Sequence, residues 1–423
     1  MMQLSFHGAM NTVGSSAVLI DTGVEKIMLD YGTKIRTEPP QFPIPIKGNG
    51  KPDVVLLTHA HLDHSGGVPL FEANGNKIPI FSLPVTKPLV ETLLYDSVKI
   101  SNEEGIKLPF NDANVDDTIK NFAPIEYKEQ HKLKKATFTY FDAGHIPGSA
   151  MVLVEYHGKK ILYTGDFNSI DTRLMKKCDQ KIPQADILIT ESTYAQREHP
   201  DREEQEKQFV EIIHETIAND GIALISGFAI GRLQEILLIL ERHGIDFPVY
   251  MDGMAKKATT IINQHKYLLH DPDKLDAALQ KVTYVKSDKM RKSIIKKPCA
   301  VLTTSGMLTG GAIVFYLKRL YDDKNSSLLL TGYQLPDTPG KNLLETGRYV
   351  AKNINLELKM FVKRLDFSAH VGRSGLFDFI KKQNSEKIFC VHGDNTDEFA
   401  NELKEKHGYD AVAPVANNRF FDV

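Results

Sequence analysis

The chain has 423 residues, 42% of them hydrophobic and 25% charged, which excludes a disordered, fibrous or membrane-embedded protein and leaves room for two domains of ordinary size. Its 52 Lys and Arg nearly balance 54 Asp and Glu, so no general positive field draws in nucleic acid, and a polyanion needs a local groove. Cys178, Cys299 and Cys390 form no CxxC pair, which argues against a disulfide framework or a thiolate zinc site.

The chain opens on MMQLSFHGAMN, without the basic and apolar regions of a secretion signal, and no apolar run reaches the roughly 18 residues that cross a bilayer. A cytoplasmic protein without membrane contact is therefore expected. The first third reads as short strands joined by polar loops: SAVLIDTG, KIMLDYG, PDVVLLTHA, IPIFSL, ATFTYFDAG, MVLVEYHG, KKILYTGD and ADILITES. These runs are rich in Val, Ile, Leu, Thr and Tyr and most end in Gly, Asp or Ser, the chemistry of strands and turns. A β-rich layered domain is expected over residues 1–193.

The strongest local signal follows the strand VVLL, where Thr58-His59-Ala60-His61-Leu62-Asp63-His64 places four metal-ligand side chains within six residues. In an extended or turning segment His59 and His61 point to one side, whereas Asp63 and His64 can turn towards a second point. One loop can thus serve two metals. Imidazole and carboxylate without thiolate favour zinc, with manganese and iron as alternatives. Further ligands stand at the ends of later strands: His145 in DAGHIPGS, Asp166 in YTGDFN and His392 in CVHGD. A carboxylate such as Asp166 can bridge two cations held roughly 3.5 to 4 Å apart. Asp30, in MLDYG, is expected to orient a ligand imidazole rather than to bind metal.

After Glu191 the rhythm changes. EEQEKQFVEIIHETIAND carries apolar residues at helical spacing, then IALIS leads through GFAIG into RLQEILLILERHG, FPVYMDG into MAKKATTIINQH, and CAVLTTSG through MLTGG into AIVFYLKRLYDD, with SSLLLTGYQ closing the series. Strands alternating with helices predict parallel βαβ units, and so a separate α/β domain over residues 194–350. Residues 351–423 return to strands at ELKMFVKRLDFSAH and KIFCVHGD, with a short helix at SGLFDFIKKQ between them, and are expected to complete the first domain.

Taken together, HAHLDH, GHIPGS, TGDFN, ESTY, FAIGR, SGMLTGG, TGYQ, FSAH and VHGD resemble, over nearly the whole chain, the β-CASP branch of metallo-β-lactamase nucleases. More narrowly they are similar to the RNA 3′-end cleavage-factor type. HxHxDH alone is shared with glyoxalases, lactonases and antibiotic-degrading lactamases; the large insertion and the pair Glu191 and His370 are what point to β-CASP. The resemblance implies an α/β fold, a metallo-β-lactamase αββα sandwich interrupted by an inserted parallel-sheet β-CASP domain. It implies two Zn2+ per subunit, one held by His59, His61 and His145, the other by Asp63, His64 and His392, with Asp166 bridging. Asp63, His370 and Glu191 take catalytic roles in this reading, His370 as the general acid for the leaving 3′ oxygen and Glu191 as its carboxylate partner. One departure stands out, because family members commonly continue SAH with Ala-Asp, whereas His370 is followed by Val371, Gly372 and Arg373.

The substrate expected from the resemblance is single-stranded RNA, cut as an endonuclease with or without 5′-to-3′ exonuclease action. A DNA nuclease of the same branch and an inactive RNA-binding scaffold are the alternatives. Gly227, Phe228, Gly231 and Arg232 lie between a strand and a helix, where backbone N–H groups can receive a phosphate. Ser305 and Gly306 occupy the same position in a later unit. The carboxyl end, with Phe420 and Phe421, is expected to pack on its own domain or on a second subunit in a homodimer.

Overall fold

The computed structural model describes residues 2–34, 39–46 and 51–423. It separates into two compact units, the first comprising Met1–Asp171, Lys176–Glu198 and Ala369–Val423, the second Thr172–Met175 and His199–Ser368.

In the first unit two seven-stranded sheets enclose an apolar core. One sheet runs, edge to edge, through Phe420–Asp422, Gln3–Phe6, Val18–Asp21, Lys26–Leu29, Val54–Leu56, Ile80–Ser82 and Phe122–Pro124; the other through Ala411–Val412, Lys387–Val391, Ile187–Glu191, Lys159–Tyr163, Ala150–Tyr156, Thr137–Asp142 and Gln130–Lys132. The second sheet is apolar on both faces, and strand alternation sorts its side chains between two cores. Val152, Val154, Ile161, Tyr163, Ile187, Ile189, Phe389 and Val391 face the first sheet. Their sequence neighbours Met151, Leu153, Leu162, Leu188, Ile388 and Cys390 face outwards, in a core shared with residues of the helices Arg373–Gln383 and Thr396–His407.

Two helices in the first third, Thr86–Glu104 and Asp112–Lys120, depart from the expectation of strands and loops alone. Together they form the crossover between Ile80–Ser82 and Phe122–Pro124, which pair in parallel and so cannot be joined by a hairpin. Leu89, Val90, Leu94 and Val98 are buried at the spacing that identifies the first of them. At the carboxyl end Phe421 packs edge-on to Phe6, ring centroids 5.8 Å apart, and to Phe389 at 4.9 Å, while Phe420 is half exposed. The terminal strand thus packs on its own unit.

The second unit holds a six-stranded sheet, in the order Val282–Tyr284, Val249–Met251, Cys299–Thr303, Ile222–Ser226, Ser327–Leu330 and Phe361–Arg364, with all neighbours parallel. The last of these strands moves the expected boundary at residue 351. Phe361–Arg364 pairs with Ser327–Leu330, so the chain up to Ser368 belongs with the insertion. At the other border the first unit extends to Glu198 rather than ending at 193. A strand's pattern of apolar residues records that it lies in a sheet, but not which sheet. No helix among the described residues is long and apolar enough to cross a membrane.

His7 gives the first unit an acid sensitivity. Its ring is buried, with Nδ1 donating to the Ile44 carbonyl at 2.7 Å and Nε2 3.0 Å from the Ser5 hydroxyl. Burial lowers its pKa to about 4, aided by the Arg419 guanidinium. The unfolded chain, with a His pKa near 6.5, therefore binds the proton first. The stabilisation is full above about 6.5 and is lost as pH falls towards 4, amounting to about 3 kcal/mol. In metal-free protein, urea denaturation at pH 7 and pH 4 is expected to show a smaller acid loss for His7→Gln than for wild type. Equal losses in the two proteins would exclude this residue as the cause.

Candidate metal centre

The strand ends converge for a topological reason. Lys159–Tyr163, Ile187–Glu191 and Lys387–Val391 are neighbouring parallel strands, so their carboxyl ends, and with them Asp166, Glu191 and His392, reach one edge of the sheet. Thr137–Asp142 runs in the same direction, two strands over from Lys159–Tyr163, and delivers His145 to that edge. From the facing sheet Val54–Leu56 leads through Leu57 and Thr58 into His59, His61 and the one-turn helix Leu62–Ser65, which carries Asp63 and His64. Gly32 allows this loop to close on the rest of the sheet, since a Cβ there would lie 1.7 Å from the Asp63 carbonyl oxygen. In its place Tyr31 N–H donates to His64 O and Ser16 N–H to Asp63 O, each at 2.8 Å.

All seven residues expected as ligands meet. His59, His61, His145 and Asp166 form one group and Asp63, His64, Asp166 and His392 another, with the donor atoms of each group within 4.8 Å of one another. Asp166 belongs to both and divides its oxygens between them. Oδ2 lies 3.6 Å from His59 Nε2 and 3.7 Å from His145 Nε2, whereas Oδ1 lies 3.2 Å from His64 Nε2 and 3.5 Å from His392 Nε2. His59 Nε2, His61 Nε2, Asp166 Oδ1 and His392 Nε2 are buried and have no hydrogen-bond partner among the described residues. Buried polar atoms are seldom left so. Five imidazoles and two carboxylates with inward-facing lone pairs fit divalent cations of the zinc type.

A second layer of hydrogen bonds fixes the rings. His64 Nδ1 donates to Asp30 Oδ2 at 2.6 Å, and His145 Nδ1 to the Ala369 carbonyl at 2.9 Å. Thr58 Oγ1 donates to Asp30 at 2.9 Å and so accepts from His59 Nδ1 at 3.0 Å. His392 Nδ1 is 2.9 Å from Ser16 Oγ. In these four rings Nδ1 is held from outside the cluster, which turns Nε2 inwards to where a cation can take its lone pair, and His145 Nε2 there meets His61 Nδ1 at 3.2 Å. Asp30, fully buried and held at φ +56°, also accepts Thr58 N–H at 2.7 Å and Tyr163 OH at 3.0 Å. Sequence reasoning identified Asp30 but missed Ser16, Thr58, Tyr163 and Ala369. The spacing of these residues carries no such signal, Ser16 and His392 being 376 positions apart.

The electrostatics favour neutral ligands on one side. Burial holds the His59 and His145 imidazoles well below their usual pKa, and nearby imidazoles add to the effect. Burial acts against charge on His64 and Asp166 too, but is outweighed. Asp166 and Asp30 hold His64 well above its usual value, and His392 and His64 hold Asp166 well below the carboxylate range. Ser16→Ala is expected to weaken zinc binding by roughly 10- to 100-fold, measured by competition with a chromophoric chelator. Unchanged affinity would mean that His392 needs no support at Nδ1.

His370 and Glu191 lie beside the cluster. His370 Nδ1 is 2.9 Å from Glu191 Oε2, and its Nε2 is 4.0 Å from Asp166 Oδ2. Glu191 is almost wholly buried and also accepts Phe167 N–H at 2.9 Å, from the residue after Asp166.

In the second unit the two glycine-containing loops stand at the carboxyl ends of the adjacent strands Ile222–Ser226 and Cys299–Thr303. They touch: a Cβ on Gly306 would lie 3.1 Å from Phe228 N, and Ser226 Oγ donates to Ser305 O at 2.7 Å. The N–H groups of Gly227 and Gly231, expected to be open to a phosphate, are used internally. Gly227 donates to Thr303 O at 3.2 Å, and Gly231 donates to Gln234 Oε1 at 2.7 Å in a capping interaction. Arg232 donates to the Thr331 carbonyl. Gln three residues after Gly231 is the capping signal that could have been read from the sequence.

An αββα sandwich with imidazoles and carboxylates gathered at its strand ends defines a metallo-hydrolase. The beta-lactamase superfamily domain model matches residues 16–233, the Beta-Casp domain model 233–343, and a model described as a Zn-dependent metallo-hydrolase RNA specificity domain 355–414. The chain belongs to the β-CASP branch of the metallo-β-lactamase superfamily. It is 39% identical to the probable RNase MJ4 of Methanocaldococcus jannaschii, with 98% of each chain covered. It is 33% identical to RNase aCSPSF2 of Saccharolobus solfataricus, over 97% of this chain and 83% of that protein. It is 32% identical to the transcription termination factor FttA of Methanosarcina mazei, over 92% of this chain and 66% of that one. In fold it is similar to a crystal structure of a protein of unknown function from Enterococcus faecalis, with TM-score 0.63, 15% identity and full coverage of both chains.

Proposed function

We propose that the protein is a zinc-dependent ribonuclease that hydrolyses phosphodiester bonds of single-stranded RNA, chiefly as an endonuclease. The observation that carries this reading is the placement of His370, with Nδ1 on the buried Glu191 and Nε2 turned towards the Asp166 cluster. His59, His61 and His145 would hold one zinc, Asp63, His64 and His392 the other, and Asp166 would join both. Such a pair supplies Lewis acidity, which activates a water nucleophile and offsets charge gathering on the phosphate. The protein's own residues do the rest. Asp30, Thr58, Ser16 and the Ala369 carbonyl orient the imidazoles, and Glu191 accepts the Nδ1 proton of His370 and favours its imidazolium form, whose second proton, on Nε2, goes to the leaving 3′ oxygen. The names of the relatives and the matching RNA specificity domain favour RNA over DNA.

Purified protein incubated with matched single-stranded RNA and DNA oligonucleotides, with zinc and with chelator, tests the reading. Zinc-dependent cleavage of RNA, leaving 5′-phosphate and 3′-hydroxyl ends, is expected. Cleavage of DNA alone would replace the ribonuclease by a DNA nuclease, and absence of cleavage in zinc-loaded protein would leave a scaffold.

A further inference from the structure

His370 lies in the short segment 369–374 of the first unit, which meets the segment 191–198 of the same unit. Its own backbone is tied down on each side, since Ala369 O accepts from His145 Nδ1 at 2.9 Å and Val371 N–H donates to Phe167 O at 2.7 Å. Glu191 is set by strand pairing with Val391 and by Phe167 N–H. The Tyr194 and His370 rings also meet, with centroids 6.0 Å apart, and a further link runs through Arg373, the first residue of the helix Arg373–Gln383. Arg373 N–H donates to Arg197 O at 3.2 Å. One arm of its guanidinium donates to the Ala195 carbonyl and the other to Glu402 Oε1 at 2.7 Å, while the plane lies 4.9 Å from the centre of the Phe377 ring. The next residue strengthens the seam, because Ser374 N–H donates to Glu198 Oε1 at 2.7 Å.

We infer that Arg373 is a positioning residue, a clamp that holds the turn carrying His370 against the segment following Glu191 and so keeps the acid and its carboxylate partner in register. The guanidinium suits this task, since its fixed fork serves two acceptors in different directions, whereas a lysine ammonium is a single point charge. A misplacement of about 1 Å in a reacting group costs on the order of 10²-fold in rate, so loosening the clamp acts on the proton transfer before it acts on the fold.

This inference rests on the ribonuclease reading, and the test separates the two. Zinc-loaded wild type, Arg373→Ala, Arg373→Lys and Glu402→Gln are assayed on RNA and on bis(4-nitrophenyl) phosphate, whose leaving group departs without a proton. Arg373→Ala is expected to lower kcat on RNA by roughly 10- to 100-fold with KM and zinc content unchanged, and to hydrolyse the activated ester at close to the wild-type rate. Arg373→Lys should recover part of the loss, and Glu402→Gln, which leaves the arm to Ala195 intact, should lose little. The double variant His370→Ala/Arg373→Ala should be no slower than His370→Ala, because both act through one proton. Equal losses on RNA and ester, additive losses, or full RNA cleavage by Arg373→Ala would overturn the inference. If wild type leaves RNA intact, the ribonuclease reading fails by itself. The crystal structure of Arg373→Ala then decides, with an unchanged His370 to Glu191 hydrogen bond counting against the clamp and a broken one for it.

Discussion

Asp166→Ala is expected to lose bound zinc and RNA cleavage together, with the rate falling by at least roughly 10⁴-fold, equivalent to about 5.5 kcal/mol of transition-state stabilisation. The size follows from where the two oxygens lie. One faces His59 and His145, the other His64 and His392, so the substitution removes a donor from both groups at once. Asp166→Asn keeps the shape without the charge and is expected to retain some metal and little activity. Metal content by plasma mass spectrometry, read beside cleavage rate, checks both variants. A full complement of zinc and more than a tenth of the wild-type rate in Asp166→Ala would dismiss the bridging role.

The second large effect is expected to leave the metal in place. His370→Ala should bind zinc as wild type does and cleave RNA roughly 10²- to 10⁴-fold more slowly, the usual contribution of a positioned acid. Glu191→Gln should cost less, since the imidazole remains, but should change the pH profile. Burial lowers the His370 pKa, yet Glu191 and Asp166 outweigh it and hold the group at about 9. An acid works only while protonated, so the wild-type rate should persist through neutral pH and fall as pH rises through this value. Without the Glu191 charge the fall should begin at lower pH. Cations bound beside Asp166 lower the pKa in both proteins, so the displacement between the two profiles is the informative quantity. Superimposable profiles would remove Glu191 from the role, and undiminished cleavage by His370→Ala would remove the acid.

Much of this centre is legible in the linear chain. His59, His61, Asp63 and His64 declare themselves by proximity, because a strand followed by a tight turn needs no distant partner to present them. His145, Asp166 and His392 are recognisable because each follows an apolar run and precedes Gly or a polar turn, and strand ends are where a sheet exposes side chains. The alternating strands and helices after Arg202 likewise follow from periodicity within each segment. The helix Thr86–Glu104 carried the same kind of signal in Leu89, Val90, Leu94 and Val98, and was overlooked because its surroundings are rich in strands.

Residue order by itself therefore determined the alternation of strands and helices and the ligand types, which depend on local periodicity or on the side-chain chemistry itself, whereas the roles expected of His370 and Glu191 came from the family resemblance. Only the tertiary structure decided that Ser16 supports His392, that Ala369 holds His145 and that Phe361–Arg364 joins the inserted sheet. Nearly all of these are pairings. A hydrogen bond or a strand neighbour is fixed by the register in which remote segments meet, and that register is set by the packing of whole sheets rather than by the few residues on either side of the atom concerned.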